Sequence, residues 1–225
     1  MFAINHASAA LLFKKKYPDV KLVWLLISVQ LVELLWVLFN YIGLESTTTE
    51  DSVKFVGDIH LSHMPFSHSI LSTVILAGLA YILIKRLFNS KMLATAISLA
   101  ISSHIILDLL THNNDLPLSF FSENIKLGSM LYSGFPYLAF LFEMLFGVFC
   151  WWYYKGSKSL LAVIIIFNLF NFTIFSPDVV GLEQFFVHSP YLLTTVIFFQ
   201  IIVTLYLVWL FAKKTDQPKI IAEGI

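Results

Sequence analysis

Ile101-Ser-Ser-His-Ile-Ile-Leu-Asp-Leu-Leu-Thr-His112 closes a long apolar run and places His104, Asp108 and His112 at i, i+4 and i+8. Residues four apart stand one turn above another on an α-helix, so the three project from one face. Two imidazoles and a carboxylate at that spacing suit a hard-to-borderline divalent ion such as zinc. The bland alternative is three polar groups hydrogen-bonding between helices. An ionised Asp in an apolar span costs at least a few kcal/mol, which marks such a residue as functional by default.

The rest of the chain makes that span a membrane span. Of 225 residues, 58% are hydrophobic and 12% charged, and the mean hydropathy is +0.82. Soluble domains are nearer half apolar and a quarter charged, so an integral membrane protein is expected. Zero net charge argues against a nucleic-acid partner. The single cysteine, Cys150, excludes a disulfide within the chain. No basic segment precedes the first apolar stretch, so no cleaved signal peptide is expected.

Residues 1–13 are apolar but too short to cross a hydrocarbon core of about 30 Å. They are expected to form a re-entrant or interfacial helix, stopped by Lys14-Lys15-Lys16 and Pro18. Six spans follow, over about 21–42, 65–84, 92–110, 130–154, 159–175 and 191–212. The fold class is therefore all-α, a polytopic helical membrane protein. No internal repeat and no pair of broken helices stands out, and 1–225 reads as one domain. Its candidate metal-site core is 1–155, and 156–225 add two spans and a tail. Of fourteen Lys and Arg, twelve fall on the side holding both termini, and only Lys54 and Lys126 lie opposite. By the positive-inside rule both termini are cytoplasmic, and loops 43–65, 111–129 and 176–190 face outward.

Several further ionisable groups fall at compatible depths. His68, in Met64-Pro-Phe-Ser-His-Ser69, opens the second span. Pro65 is expected to start that helix, with serines as caps and free N–H groups suited to an anion. Glu33 lies 12 residues beyond Lys21, Glu143 lies 13 beyond Met130, and His6 lies 8 before Lys14. At about 1.5 Å per residue, these depths allow one polar shaft opening outward. Glu33 and Glu143 are candidates for metal ligation or general-base work; the alternative for each is a hydrogen-bonded structural acid. His6 and Asp58 are further candidate ligands. His60, His63 and His188 read as solvated or interfacial residues. Trp151, Trp152, Tyr153 and Tyr154 fit an interfacial aromatic belt. No Gly-x-Ser-x-Gly, Walker loop, His-Glu-x-x-His or Cys-x-x-Cys occurs, so serine-hydrolase, nucleotide-driven and zinc-protease chemistries lack support.

Pro65-Phe-Ser-His-Ser69, then Ser103-His104, Asp108, His112 and Asp115-Leu-Pro-Leu118, resembles a family of bacterial inner-membrane proteins described as membrane-bound metal-dependent hydrolases, the YdjM-like group. The resemblance takes in Asn5-His6-Ala, Glu33-Leu-Leu-Trp36, Glu143, Gly147 and Trp152-Tyr153, so it spans roughly 4–155. The order of these residues is also distantly similar to zinc-dependent phospholipase C and P1-type nucleases. That implies His6, Glu33, His68, His104, Asp108, His112 and Glu143 as ligands or bases. The chain departs from the family pattern where Asn113-Asn114 stands in place of Arg-Pro, and Glu33 in place of the commoner Asp.

Three functions are then open. The first is a zinc-dependent hydrolase, acting at the outer leaflet of the inner membrane on an amphipathic phosphoester or lipid. Its partners would be membrane lipids and that substrate. In it, His68, His104, Asp108, His112, His6 and Asp58 hold metal, while Glu33 or Glu143 serves as ligand or base. The second is a proton- or metal-coupled transporter using the same groups. The third is a non-enzymatic membrane protein with a structural metal.

Overall fold

The computed structural model describes residues 1–49, 53–176, 178 and 189–212. Its first helix, α1 (Ala3–Lys16), carries Ala3, Ala7, Ser8, Ala9 and Ala10. Side chains this small let neighbouring backbones approach closely inside a membrane bundle. Every residue from Ala3 to Leu11 is accordingly buried. The interfacial alternative is thus corrected: α1 lies at the centre, packed by the helices that follow. Its 14 residues reach only about 21 Å.

The first expected span is two helices, α2 (Leu22–Val29) and α3 (Leu31–Tyr41), bent by 51° at Gln30. A broken-helix element therefore exists where none was legible. Gln30 holds the break by donating Nε2 to the carbonyl of Ala3 at 2.8 Å, which pins α1 to it. From α3 the chain enters a hairpin of β1 (Ser46–Thr49) and β2 (Ile59–His63), antiparallel with Ser46 opposite His63. Its run of threonines favours an extended backbone. A second hairpin, β3 (Leu116–Ser119) and β4 (Ser122–Leu127), pairs Leu116 with Leu127. Lys126 Nζ donates to the carbonyl of Ser62 at 3.2 Å, tying the two hairpins together at one end of the bundle. The all-α expectation thus needs these four short strands added.

α4 (Ile70–Phe88) and α5 (Lys91–Leu109) form an antiparallel pair. Asn89 closes α4 in the left-handed region (φ 50°), a conformation Asn tolerates, and Ser90 caps α5 by accepting from Leu93 N at 3.2 Å. α4 starts at Ile70 rather than Pro65, with Ser69 as its cap. A short turn, α6 (Leu131–Gly134), precedes α7 (Pro136–Tyr154), which has Pro at its first position. α7 crosses α1 at Gly147, where a Cβ would stand 2.8 Å from Asn5 Oδ1 and from Ile164 Cγ2. α8 (Lys158–Phe170), α9 (Phe172–Phe175) and α10 (Pro190–Ala212) are the remaining helices among the described residues.

Among the described residues, four helices (Ile70–Phe88, Lys91–Leu109, Pro136–Tyr154 and Tyr191–Ala212) are long and apolar enough to cross a membrane. The bent pair makes a fifth candidate. Apolar side chains such as Val74, Leu79, Leu83 and Leu87 are exposed on α4, where hydrocarbon rather than water suits them. These features are consistent with a membrane protein. The fifth of the six expected spans, 159–175, is broken at Asn171. Its main piece, α8, has 13 residues, about 20 Å against a core near 30 Å.

Candidate metal centre

α5 carries His104 and Asp108 on the face it buries against α1 and α2, and both side chains are sealed from solvent. The tautomer of His104 is set by the helix break. Its Nδ1 lies 2.8 Å from the carbonyl of Val29, the last residue of α2, and that oxygen can only accept. Nε2 is thereby left as the free lone pair, the usual preparation of an imidazole ligand. It points at Asp108 Oδ2, 3.1 Å away. Both of these buried atoms lack a hydrogen-bond partner.

Other elements bring further donors to the same point. From the centre of the bundle, α1 presents His6, with Nε2 3.1 Å from Asp108 Oδ1 and its ring stacked on His104 at 3.8 Å between centroids. Glu33, in the first turn of α3, places Oε2 3.4 Å from His104 Nε2 and 3.1 Å from His68 Nε2. His68 also lies 3.9 Å from Asp108 Oδ2. The Met1 amino group donates to Asp108 Oδ1 at 2.6 Å.

His112 lies one turn beyond the end of α5, not on the helix itself. Its amide still donates to the carbonyl of Asp108 at 2.8 Å, so the helical path continues far enough. Nε2 stands 3.6 Å from Asp108 Oδ1, and Nδ1 3.8 Å from Asp115 Oδ1.

Among the described residues, two groups of three have the closeness a cation needs: His6 with His104 and Asp108, and Glu33 with His68 and His104. Ligand atoms about 2.0–2.1 Å from a tetrahedral zinc are roughly 3.3–3.4 Å apart. The separations here, 3.1 to 3.9 Å, bracket that value. The donor set fits a divalent ion on geometry as well as chemistry.

A second layer steers His68. Glu45, buried, accepts from the amides of Phe66 and Ser67, each at 2.8 Å, and from Ser67 Oγ at 2.6 Å. Ser67 Oγ in turn lies 2.8 Å from His68 Nδ1. Carboxylate, hydroxyl and imidazole thus form a chain that aims Nε2 inward. Glu45 is absent from the candidates that the sequence offers. The sole signal in the sequence was its position just past a span, in the loop that returns to His68.

Three expected site residues fall outside both groups: His112, which stands beside them 3.6 Å from Asp108 Oδ1, Glu143 and Asp58. Glu143 stands outside both groups. Its carboxylate accepts from Phe2 N at 2.9 Å, Asn5 Nδ2 at 2.6 Å and Tyr132 Oη at 2.5 Å. Asn5 is bonded in turn to Asn168 at 2.9 Å. Glu143 therefore anchors α1 and Tyr132, whose ring centroid is 5.1 Å from that of His112. Asp58 is also outside: its Oδ2 accepts from the amides of Lys54 at 2.8 Å and Phe55 at 3.3 Å, closing its own loop. His60 and His63 sit in β2, and His188 lies outside the described residues.

A cavity of about 860 Å³ opens beside the donors. One end is polar, lined by His6, Gln30, Glu33, His68, His112 and Asp115. The remainder is walled mainly by apolar side chains of α8, α9 and α10.

No family model, curated protein or solved structure matches this chain.

Proposed function

We propose that this chain is a membrane-embedded, metal-dependent hydrolase, with zinc the favoured ion and an amphipathic phosphoester or lipid as substrate. The observation that carries this is that His104 Nε2 and Asp108 Oδ2 are buried without hydrogen-bond partners, with His104 shared by two donor groups, one with His6 and Asp108 and one with Glu33 and His68. A divalent ion, when bound, supplies Lewis-acid polarisation and activates water. The protein side then divides the work. His6, His104, Asp108 and His68 hold the ion, and Glu33 completes the set or takes a proton. His112, at the polar mouth of the cavity, is the side chain placed to meet the substrate's charged end. Glu143 keeps α1 and Tyr132 in place around it.

The protein would lie in a bacterial inner membrane with both termini cytoplasmic and the site facing outward. Charge asymmetry and the motif resemblance support that assignment, and α8 with α9 would make the sixth crossing.

The test is metal content of the detergent-purified protein by mass spectrometry, with the His104→Ala and Asp108→Ala variants, followed by release of phosphorylated headgroup from phospholipids or of phosphate from phosphatidate. The expected result is about one equivalent of zinc or more, lost in both variants together with hydrolysis. Wild-type protein that stays metal-free after resupply would sink the proposal.

A transporter is favoured by one specific observation, the 51° break at Gln30 beside the site. Discontinuous helices often cradle transported ions. Zinc flux into proteoliposomes without hydrolysis would select it.

A further inference from the structure

α8 and α10 are packed at their base and line the cavity above it. At the base, Ser157 Oγ donates to the carbonyl of Phe211 at 3.3 Å, and Leu160, Ile164, Val208 and Ala212 are buried in one core. Higher up, Phe167, Phe170 and Ile174 line the cavity from one side, and Val196, Phe199 and Val203 from the other. Phe170 is 13 residues beyond Ser157, and Phe199 is 12 before Phe211. At about 1.5 Å per residue both stand roughly 18–20 Å above the base, within a core near 30 Å. The bond from Gln200 Nε2 to Asn171 Oδ1, at 2.8 Å, places the two walls at one level.

These walls also belong to the outer face of the bundle. Phe170 is 71% exposed and Phe199 62%, although both line the cavity. A side chain walling an enclosed hollow is covered from behind by the next layer; neither phenylalanine has such a layer among the described residues. The cavity therefore reaches the apolar outer face between α8 and α10. At its other side it runs inward to Trp36 of α3, which is only 2% exposed, and to the polar end at Glu33 and His68. An apolar hollow at this depth favours hydrocarbon: water finds few partners on such walls, and an unfilled void forfeits their contacts.

We propose that the cavity takes an acyl chain of a bilayer phospholipid, which enters sideways from the hydrocarbon core between Phe170 and Phe199. The inference rests on the lipid-substrate reading above and deepens it, because the substrate is then drawn from the bilayer and not from water.

The probe is phosphatidylcholine bearing a diazirine in one acyl chain, assembled into nanodiscs with the purified full chain. After irradiation, adducts are mapped by peptide mass spectrometry. Trp36 and Leu193, both buried and both lining the cavity, should be labelled at yields comparable to those at Leu79 and Leu83, which are exposed on α4. Val203→Trp, which narrows the entrance beside Phe199, should lower labelling at Trp36 severalfold and leave Leu79 unchanged. Adducts confined to outward side chains such as Leu79, Phe170 and Phe199 in the wild-type protein would overturn the proposal, with no variant needed. Trp36 labelling that a folded Val203→Trp does not reduce would overturn the route between α8 and α10. Labelling needs neither metal nor turnover. Cavity adducts in a protein without hydrolytic activity would leave this inference standing and remove the hydrolase; hydrolysis with outward adducts alone would do the reverse.

Discussion

Ser67 is the single hydroxyl between a buried carboxylate, Glu45, and a ligand-type imidazole, His68. Outer partners of this kind fix ring orientation, and their loss typically costs about 10–100-fold in metal affinity. Ser67→Ala should therefore weaken zinc binding by about tenfold or more in a chelator competition, while the protein still folds. Glu45→Gln should lose a comparable factor. Because the two act through one chain, Ser67→Ala with Glu45→Gln should cost little more than either alone. Unchanged affinity in Ser67→Ala would show that His68 is held by other means. At this scale His104 and Asp108 were legible in the sequence, because helical periodicity relates residues four apart. Glu45 was not: its partner lies 22 residues away, across a loop.

The elements that build the site share one apolar core, and within it they meet at close approaches. Gly147 is where α7 meets both Asn5 of α1 and Ile164 of α8. Gly147→Val forces branched carbons against those atoms, and overpacking of this kind costs about 1–3 kcal/mol. A Tm lower by several degrees in detergent is expected, with a smaller drop for Gly147→Ala; an unchanged Tm in both would mean that the crossing is loose. The break at Gln30 is the second such device. Gln30→Leu removes the bond to the Ala3 carbonyl, which is buried at the centre of the bundle. Loosened α1 should then lower zinc affinity through His6. The expectation of one span over 21–42 did not include this break, since Gln30 is one polar residue in an apolar run. What breaks the helix is a partner on another element, and no local pattern announces it.

At the scale of the whole molecule, the proposed orientation is open to direct test. In a Cys150→Ala background, Phe121→Cys lies at the tip of the second hairpin, where Phe121 is 81% exposed. A membrane-impermeant maleimide should label it in intact cells. Asp19→Cys, in the loop after α1, should react only after permeabilisation. The opposite pattern would invert the topology and move the site to the cytoplasmic side.

By itself the sequence determined the apolar, mostly helical character and the placing of His104 and Asp108 on one helical face. Those features rest on composition and short-range periodicity, which tertiary contacts do not alter. Three things were decided only by the tertiary structure. The alanines of α1 drew a helix too short to span into the centre of the bundle. The bonds from Tyr132, Asn5 and the Phe2 amide turned Glu143 from a site candidate into an anchor. The meeting of α8, α9 and α10 formed a cavity beside the donors. Each depends on which distant segments pack together, and shape complementarity and hydrogen-bond satisfaction over the whole chain select that.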